Sequence, residues 1–331
     1  MMKKMTVLII ITACLCLPMQ SCGRAPVRYS VTYTDVFDTV TEITAYANDA
    51  ETFDRAVEAA HEELIRLHRL FDVYNTYDGV EGLCALNHNC GKEEQFADPD
   101  IVELIKTGLR YGELSGGALN IASGAVLSLW HDCRERGEGL PEPSALSDAA
   151  EHIDQSGVVI GDGVMSFEDE ALRIDAGAIA KGYAADKAAG VLRGYGITDF
   201  LINAGGNVVA SGAKPDGEWT VGIQSPDGGI YTKIKVKDLS VVTSGDYQRY
   251  YEYEGKRYGH IIDLTTLYPA EYCRSVTVIC TASVDADALS TALFCMEPEK
   301  GAALARSCGA EAMYIFDDGT CYKTEGFAAY E

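Results

Sequence analysis

Basic residues are scarce in this chain of 331 residues, in which 27 lysines and arginines accompany 50 aspartates and glutamates, for a formal net charge of −23. So acidic a protein repels a phosphate backbone, which argues against nucleic-acid binding. None of the 11 cysteines stands in a CxxC or other zinc-type spacing, so a structural metal is not expected. Internal repeats and low-complexity tracts are also absent. The composition, 47% hydrophobic and 23% charged, is typical of a globular protein with a sizeable core.

The chain also lacks an apolar run long enough to cross a bilayer. The apolar stretch from Thr6 to Leu17 is shorter than the roughly 20 residues that a spanning helix needs, and it is typical of an export signal. It is followed by Met19-Gln20-Ser21-Cys22, which predicts a lipoprotein signal over residues 1–21, lipidation of Cys22 and a tether over residues 22–29. Cys14 is the alternative lipidation site, and an ordinary cleaved signal is a third possibility.

The stretch LRIDAGAIAKGYAAD, residues 172–186, predicts a ligand-binding turn. An apolar strand ending at Ile174 leads into Asp175, a turn of small residues and a helix that opens at Lys181. Small residues allow a ligand close to the backbone, a helix start offers free N–H groups to an anion, and Lys181 adds a positive charge. The alternative is an ordinary strand–turn–helix with an exposed lysine.

The stretch FLINAGGN, residues 200–207, predicts a second such turn. Here a strand ends at Gly205 and Gly206, and adjacent glycines permit positive φ angles and a nest of N–H groups that accepts an anion. Two turns of this kind, joined by a helix, suit a pyrophosphate held between strand ends. A plain Gly-Gly turn is the alternative.

Two further segments suggest a metal ligand pair and a base. In ADALSTALF, Asp287 and Thr291 are four residues apart on one helix face, where they form a partial site for a hard cation. The alternative for Asp287 is a helix-capping acid. His260 ends a strand close to Asp263 and could take a proton from a hydroxyl nucleophile, although a structural histidine would show the same pattern.

The order of DAGAIAKGYAAD, INAGGN, VVTSGDYQR, HIID and ADALSTALF resembles the ApbE family of FAD:protein FMN transferases over about residues 30–330. Two departures stand out: residues 264–267 replace the Pro-x-Thr-Gly that many members carry after HIID, and Asn120 replaces a common aspartate. Together with the mixed order of elements, the resemblance predicts an α+β fold of mixed sheets flanked by helices, a two-lobed single catalytic unit over residues 30–331.

The resemblance implies a Mg²⁺-dependent transfer of FMN from FAD to a threonine or serine hydroxyl of a client protein, with release of AMP. It implies that Asp287, Thr291 and the backbone carbonyl of Ala178 hold the metal, that Lys181 lies near the phosphates or supports the carboxylates, and that His260 is the base. It also suggests a set of FAD-binding residues, namely Tyr74, Asn75, Asp175, Gly205, Gly206, Ser244 and Asp263.

The implied client is an extracytoplasmic flavoprotein, such as a subunit of an Rnf- or Nqr-type complex or a protein with an FMN-binding domain. A lipid anchor would hold the enzyme at the outer face of a bacterial cell membrane. Two other functions remain open at this point: an FAD pyrophosphatase that yields FMN and AMP, and a flavin-binding lipoprotein without catalysis.

The periodicity of apolar residues predicts the main elements. Helices are expected over about 51–70, 98–113 and 122–136, with a short helix to about 154. Strands are expected near 30–47, in a hairpin over 157–174 and in a terminal hairpin around 317–319. Cys280 and Cys295 lie in apolar runs and are expected to be buried thiols.

Overall fold

The structure is a computed structural model that describes residues 25–91, 94–161 and 163–331. The predicted signal and Cys22 lie outside the described residues. The α-helices within the described ranges are α1 (Ala50–Phe71), α2 (Leu83–His88), α3 (Pro99–Leu114), α4 (Gly124–Arg136), α5 (Pro143–Ala150), α6 (Ala180–Gly194), α7 (Ser283–Phe294) and α8 (Pro298–Ser307). Among them, no helix combines the length and the hydrophobicity that crossing a bilayer requires.

Most of the strands belong to one large antiparallel sheet. The strands, in chain order, are β1 (Val27–Val36), β2 (Thr39–Ala47), β3 (Gln95–Phe96), β4 (Val158–Ile160), β5 (Val164–Phe167), β6 (Phe200–Ala204), β7 (Asn207–Ser211), β8 (Trp219–Gln224), β9 (Ile230–Val236), β10 (Leu239–Gly245), β11 (Tyr250–Tyr253), β12 (Lys256–Gly259), β13 (Ile262–Asp263), β14 (Tyr268–Pro269), β15 (Ser275–Cys280), β16 (Glu311–Ile315) and β17 (Cys321–Lys323).

The large sheet has the order β1-β2-β6-β7-β10-β15-β16-β17, and each neighbouring pair runs antiparallel. The remaining strands form small sheets, β3-β5-β4, β8-β9, β11-β12 and β13-β14. The predicted α+β fold of sheets flanked by helices is therefore confirmed, and the sheets are antiparallel.

The two faces of the large sheet bury different partners because successive side chains of a strand point to opposite faces. On one face, Val209 and Val242 pack against α1, α6 and α7 in the main core. On the other face, Val208 and Val241 pack with Trp219 from the β8-β9 hairpin. The helical side of the sheet carries the candidate site.

Helix α1 shows why the sequence pattern predicted the helices well. Its predicted apolar stripe is buried, and Asp49 caps its N-terminus by accepting a hydrogen bond from the N–H of Thr52 at 2.7 Å. Helices α3 and α4 also begin and end within two residues of their predicted limits. Cys280 and Cys295 are buried free thiols, as expected.

The strand expected to end at Ile174 is wrong. This segment makes only an isolated bridge between Arg173 and Ser123. The side chain of Asn87 supplies the missing hydrogen bonds: its Nδ2 donates to the carbonyl of Ile174, and its Oδ1 accepts from the N–H of Ile174, both at 2.8 Å. A side-chain amide thus replaces a neighbouring strand. The helix expected to reach residue 154 ends earlier, at Ala150.

Candidate active site

The contact between α6 and α7 fixes Asp287, the predicted metal ligand. The N–H of Gly182 donates to Oδ2 of Asp287 at 2.8 Å, and Nζ of Lys181 lies 3.8 Å from Oδ1. Asp287 is 3% exposed, and this burial raises the pKa of its carboxyl group, while Lys181 and the Gly182 N–H act in the opposite direction. Asp287 lies in the second turn of α7, whose N-cap is Ala282, so a capping role for Asp287 is wrong.

The carbonyl of Ala178 lies one residue before Ile179, the N-cap of α6. Gly182 is the third residue of that helix, so its N–H has no acceptor within the helix, and it donates to Asp287. Among the described residues, no donor reaches the carbonyl oxygen of Ala178. A carbonyl without a donor, at the start of the helix that holds Asp287, is well suited to bind a cation.

Thr291 completes this set of oxygen atoms. It lies one turn after Asp287 on the same face of α7, and its Oγ1 is 3.5 Å from Oγ of Ser244 at the end of β10. Oγ of Ser244 is also 2.8 Å from Oγ of Ser290. The structure therefore places Ser244 beside Thr291, one helical turn from Asp287.

The donor set fits a hard divalent cation. A carboxylate, a hydroxyl and a free carbonyl are hard oxygen ligands, and Mg²⁺ accepts such a small set because it keeps several waters. No group of three or more histidines, cysteines or acids that could hold a metal occurs among the described residues. A softer metal that needs thiolate or imidazole ligands is therefore not favoured by this site.

His260 directly follows β12, and its ring orientation is fixed by the backbone. Its Nδ1 lies 3.1 Å from the carbonyl oxygen of Arg249, so Nδ1 carries the proton and Nε2 remains an acceptor. Burial, followed by the positive charges of Arg249, Lys181 and Arg134, lowers the pKa of His260 to about 3. A neutral histidine with an available Nε2 can accept a proton from a hydroxyl group.

The loop after α1 carries Tyr74 and Asn75. The Asp72 carboxylate holds this loop, because it accepts from the N–H of Tyr74 at 2.8 Å and from Nδ2 of Asn75 at 3.0 Å. The ring of Tyr74 is 48% exposed and stacks on His131 with a centroid distance of 3.9 Å. Tyr74 thus offers an accessible aromatic surface, whereas the amide of Asn75 is engaged within the loop.

Asp175 lies close to this aromatic pair, since its charge contributes to raising the pKa of Tyr74. Its Oδ1 accepts from the N–H of Gly177 at 2.8 Å. Burial raises the pKa of the Asp175 carboxyl group, and the N–H of Gly177 and the positive charges of Arg134 and Arg249 oppose that rise. Asp175 therefore lies within electrostatic range of Tyr74 and His131.

The anion-binding nest expected at the Gly205-Gly206 turn is wrong. Both glycines have positive φ angles, 58° and 96°, as predicted. However, the N–H of Gly205 donates to the carbonyl of Val40 at 3.1 Å, and the N–H of Gly206 donates to Oδ1 of Asn203 at 3.0 Å. Because both groups are already used, this turn shapes the hairpin between β6 and β7 instead of binding an anion.

Asp263 organises the turn that departs from the usual family pattern. It is 6% exposed, and its Oδ1 accepts from the N–H of Thr265 at 2.8 Å. Its carbonyl accepts from the N–H of Leu267, which has a left-handed φ of 65°, and Nε1 of Trp130 donates to the carbonyl of Leu267 at 2.9 Å. These contacts support a structural role for Asp263, and none of them supports its expected role in cofactor binding.

Three residues near the site were missed by the sequence analysis. Arg134 and Arg249 lie close enough to His260 to affect its pKa. Asn207 is 1% exposed, and its side chain helps to lower the pKa of Asp287. Arg249 and Asn207 stand next to the motif residues that were considered, but Arg134 lies in HDCRERG, which the sequence indicated only as a helix end.

Comparison with known proteins shows which family the chain belongs to. The model of the ApbE family matches residues 37–315. The chain belongs to the ApbE family. Among its relatives is the FAD:protein FMN transferase of Treponema pallidum (strain Nichols), which is 34% identical over 93% of this chain and 90% of the relative. The FAD:protein FMN transferase of Klebsiella pneumoniae (strain 342) is 31% identical over 75% of this chain and 79% of the relative.

Solved ApbE structures share the fold. The crystal structure of the ApbE protein from Thermotoga maritima has a TM-score of 0.84 and 28% identity, covering 92% of this chain and 99% of that one. The apo form of the flavinyl transferase ApbE from Pseudomonas stutzeri has a TM-score of 0.81 and 26% identity, covering 93% and 98%. The ApbE fold thus extends over nearly all of the described residues.

Two glycines of α6 form a matched test of the contact that holds Asp287. A Cβ at position 182 would lie 2.4 Å from the carbonyl oxygen of Ser283 and 2.8 Å from Cβ of Asp287, so Gly182→Ala should lower the free energy of unfolding by about 1–3 kcal/mol. A Cβ at position 190 meets no atom within 4 Å. Gly190→Ala should therefore raise the free energy of unfolding by about 0.5–1 kcal/mol. Denaturant titration measures both changes. Equal effects of the two substitutions would contradict the close contact at Gly182.

Proposed function

We propose that this protein transfers FMN from FAD to a threonine or serine hydroxyl of a client protein and releases AMP. The observation that carries the proposal is the proximity of a neutral His260, with Nε2 free to accept a proton, to the charged groups around Lys181 and Asp287. A protein that only bound flavin would need neither a base nor a cation site. Membership in the ApbE family supports the same activity.

The proposed metal site consists of Asp287, Thr291 and the carbonyl of Ala178. A Mg²⁺ ion bound there would neutralise pyrophosphate charge and favour the departure of AMP. Lys181, whose Nζ lies 3.8 Å from Oδ1 of Asp287, is placed to contact a phosphate oxygen beside the ion. In the free protein, the charge of Lys181 and the hydrogen bond from the Gly182 N–H stabilise the negative charge of the buried Asp287.

His260 acts on the nucleophile in this proposal. The hydroxyl proton of the client passes to Nε2, and the resulting oxygen attacks the phosphorus on the riboflavin side of FAD. The hydrogen bond from Nδ1 to the carbonyl of Arg249 keeps Nε2 available throughout. Tyr74 offers its exposed ring to an aromatic part of FAD, and Asp175 lies beside it.

The mass of a client protein tests this function directly. A client domain with a threonine acceptor is mixed with FAD, Mg²⁺ and the protein without residues 1–21. We expect the client to gain the mass of an FMN phosphoester while AMP appears. Free FMN and AMP without a labelled client would favour a pyrophosphatase, and unchanged bound FAD would favour a binding protein without catalysis.

We further propose that the mature protein is held by a lipid on Cys22 at the extracytoplasmic face of a bacterial membrane. The apolar stretch and the Met19–Cys22 motif support this location. The client would then be an extracytoplasmic redox protein, such as an Rnf- or Nqr-type subunit or an FMN-binding domain. Cys22→Ala should move the protein from the membrane fraction to the soluble fraction, whereas Cys14→Ala should leave it in the membrane.

A further inference from the structure

Three positive side chains lie within electrostatic range of His260 in a protein that is otherwise strongly acidic. Lys181 comes from the first turn of α6, Arg134 from the last turn of α4, and Arg249 from the segment between β10 and β11. All three charges act on His260, while the net charge of the chain is −23. These three cations outnumber Asp287 and Asp175, the two carboxylates on which they also act. A local excess of positive charge in an acidic protein is typical of a site that binds an anion.

Arg134 is positioned with most of its hydrogen-bonding capacity unused. Its Nη2 donates to Nδ1 of His131 at 2.9 Å, and His131 in turn stacks on Tyr74. This is the one hydrogen bond that its guanidinium makes within the described part of the chain, although an arginine carries five N–H donors. His131 therefore orients the guanidinium, and the remaining donors are available for a ligand.

Arg249 has a similar arrangement on the other side of His260. Its carbonyl accepts from Nδ1 of His260, and its Nη2 donates to the carbonyl of Phe37 at 2.9 Å. The backbone and the side chain of one residue thus connect the histidine with the turn between β1 and β2. Its guanidinium makes no ion pair with an acidic residue in the described ranges.

The two arginines belong to the His260 end of the site. Asp287 at the cation end is affected by Lys181, whereas Asp175 beside Tyr74 is affected by both Arg134 and Arg249. Nζ of Lys181 lies 3.8 Å from Oδ1 of Asp287 at the cation end, and its charge also acts on His260. The positive charges thus extend from the proposed metal site to the proposed base.

We propose that Arg134 and Arg249 form a clamp on the phosphoryl group that is transferred, binding its non-bridging oxygens while Lys181 and the metal ligands bind the AMP side. This inference rests on the proposed function. In the step it serves, a bond forms between the client oxygen and the riboflavin-side phosphorus, the bond from that phosphorus to the bridging oxygen breaks, and AMP leaves with the electron pair. The hydroxyl proton goes to Nε2 of His260.

This arrangement suits the chemistry of phosphoryl transfer. Negative charge on the non-bridging oxygens must be held in place while the attacking and leaving oxygens stay in line. Planar guanidinium groups bind such oxygens through two parallel N–H donors, which an ammonium group cannot do. A lysine at position 134 should therefore restore the charge without restoring the full geometry.

Equilibrium binding of FMN and of AMP tests the clamp without any turnover. FMN carries the phosphate that the clamp would hold, and AMP carries the leaving phosphate. We expect Arg134→Gln to weaken FMN binding about tenfold and to leave AMP binding unchanged. The FMN affinity of Arg134→Lys should lie between those of the wild type and Arg134→Gln. The matched control is Arg136→Gln, an exposed arginine of the same helix whose Nη2 contacts Sγ of Cys133 at 3.3 Å. This control should bind both nucleotides like the wild type.

The results separate the clamp from the proposed function. Unchanged FMN affinity in Arg134→Gln, or an equal loss for FMN and AMP, would overturn the clamp, and a melting curve like that of the wild type would show that the variant is folded. If the wild type labels no client but binds FMN through Arg134, the transferase proposal fails and the anion clamp stands. If the wild type labels a client and Arg134→Gln binds FMN as tightly as the wild type, the clamp fails and the transferase proposal stands.

Discussion

Replacement of Asp287 by asparagine should lower the rate of FMN transfer at least about 100-fold, because the buried carboxylate is the one negatively charged ligand of the proposed metal site. An asparagine can still accept the hydrogen bond from the N–H of Gly182, so the contact between α6 and α7 should persist. The measurement is the rate of client labelling at increasing Mg²⁺ concentration. Excess Mg²⁺ should restore only part of the activity.

The matched control for this substitution is Asp285→Asn on the same helix. Asp285 lies in the first turn of α7 and pairs with Arg110 at the surface, so its loss should leave the labelling rate near that of the wild type. A fluorescence or calorimetric titration with Mn²⁺ as the probe should show weaker binding in the Asp287 variant alone. Full activity of Asp287→Asn at ordinary Mg²⁺ concentration would contradict the assignment of this carboxylate as a metal ligand.

Regular elements were predictable because their signals are local. The stripe of α1 repeats every three to four residues, and the Gly-Gly turn between β6 and β7 needs the positive φ angles that glycine permits. The segment ending at Ile174 shows the limit of such reasoning. Its apolar residues suggested a strand, but Asn87, 87 residues earlier in the chain, supplies its hydrogen bonds through a side chain. Nothing local in the sequence indicates that pairing.

The site was predictable where one element carries the chemistry. The spacing of Asp287 and Thr291 places them on one face of a helix, and the resemblance to the ApbE family provided their role. The contact of Asp287 with α6 is visible only in the fold, since the N–H of Gly182 donates to this carboxylate on another helix. The same is true of Arg134, whose position depends on the packing of α4 beside the loop of Tyr74.

The error at Gly205 and Gly206 has a related physical reason. A turn of two glycines can direct its N–H groups at an anion or at its own hairpin, and the sequence is the same in both cases. Here Asn203 and the backbone of Val40 take both donors. In the proposed function, phosphate binding therefore relies on the cations near His260 and on the proposed metal site, which is how so acidic a protein would hold the anion FAD.

Substitution of His260 by glutamine should lower the rate of client labelling by about 10²- to 10⁴-fold while leaving FAD affinity close to that of the wild type, because the base acts on the client hydroxyl and not on FAD. The matched control is His152→Gln, since His152 pairs with Asp169 away from the site. Single-turnover labelling, measured with the enzyme in excess over the client and with saturating FAD, separates this loss of chemistry from a loss of binding.

The pH dependence gives a second, independent readout of the same residue. Since burial and three nearby positive charges lower the pKa of His260 to about 3, the histidine is neutral well below its ordinary pKa and protonates only as the pH falls towards 3. The value of kcat/KM reports ionisation in the free enzyme, so it should show no loss from His260 between about pH 5 and about pH 8. An acidic limb near pH 6.5 that disappears in His260→Gln would show that His260 titrates normally and that the cations around it do not act as the structure indicates.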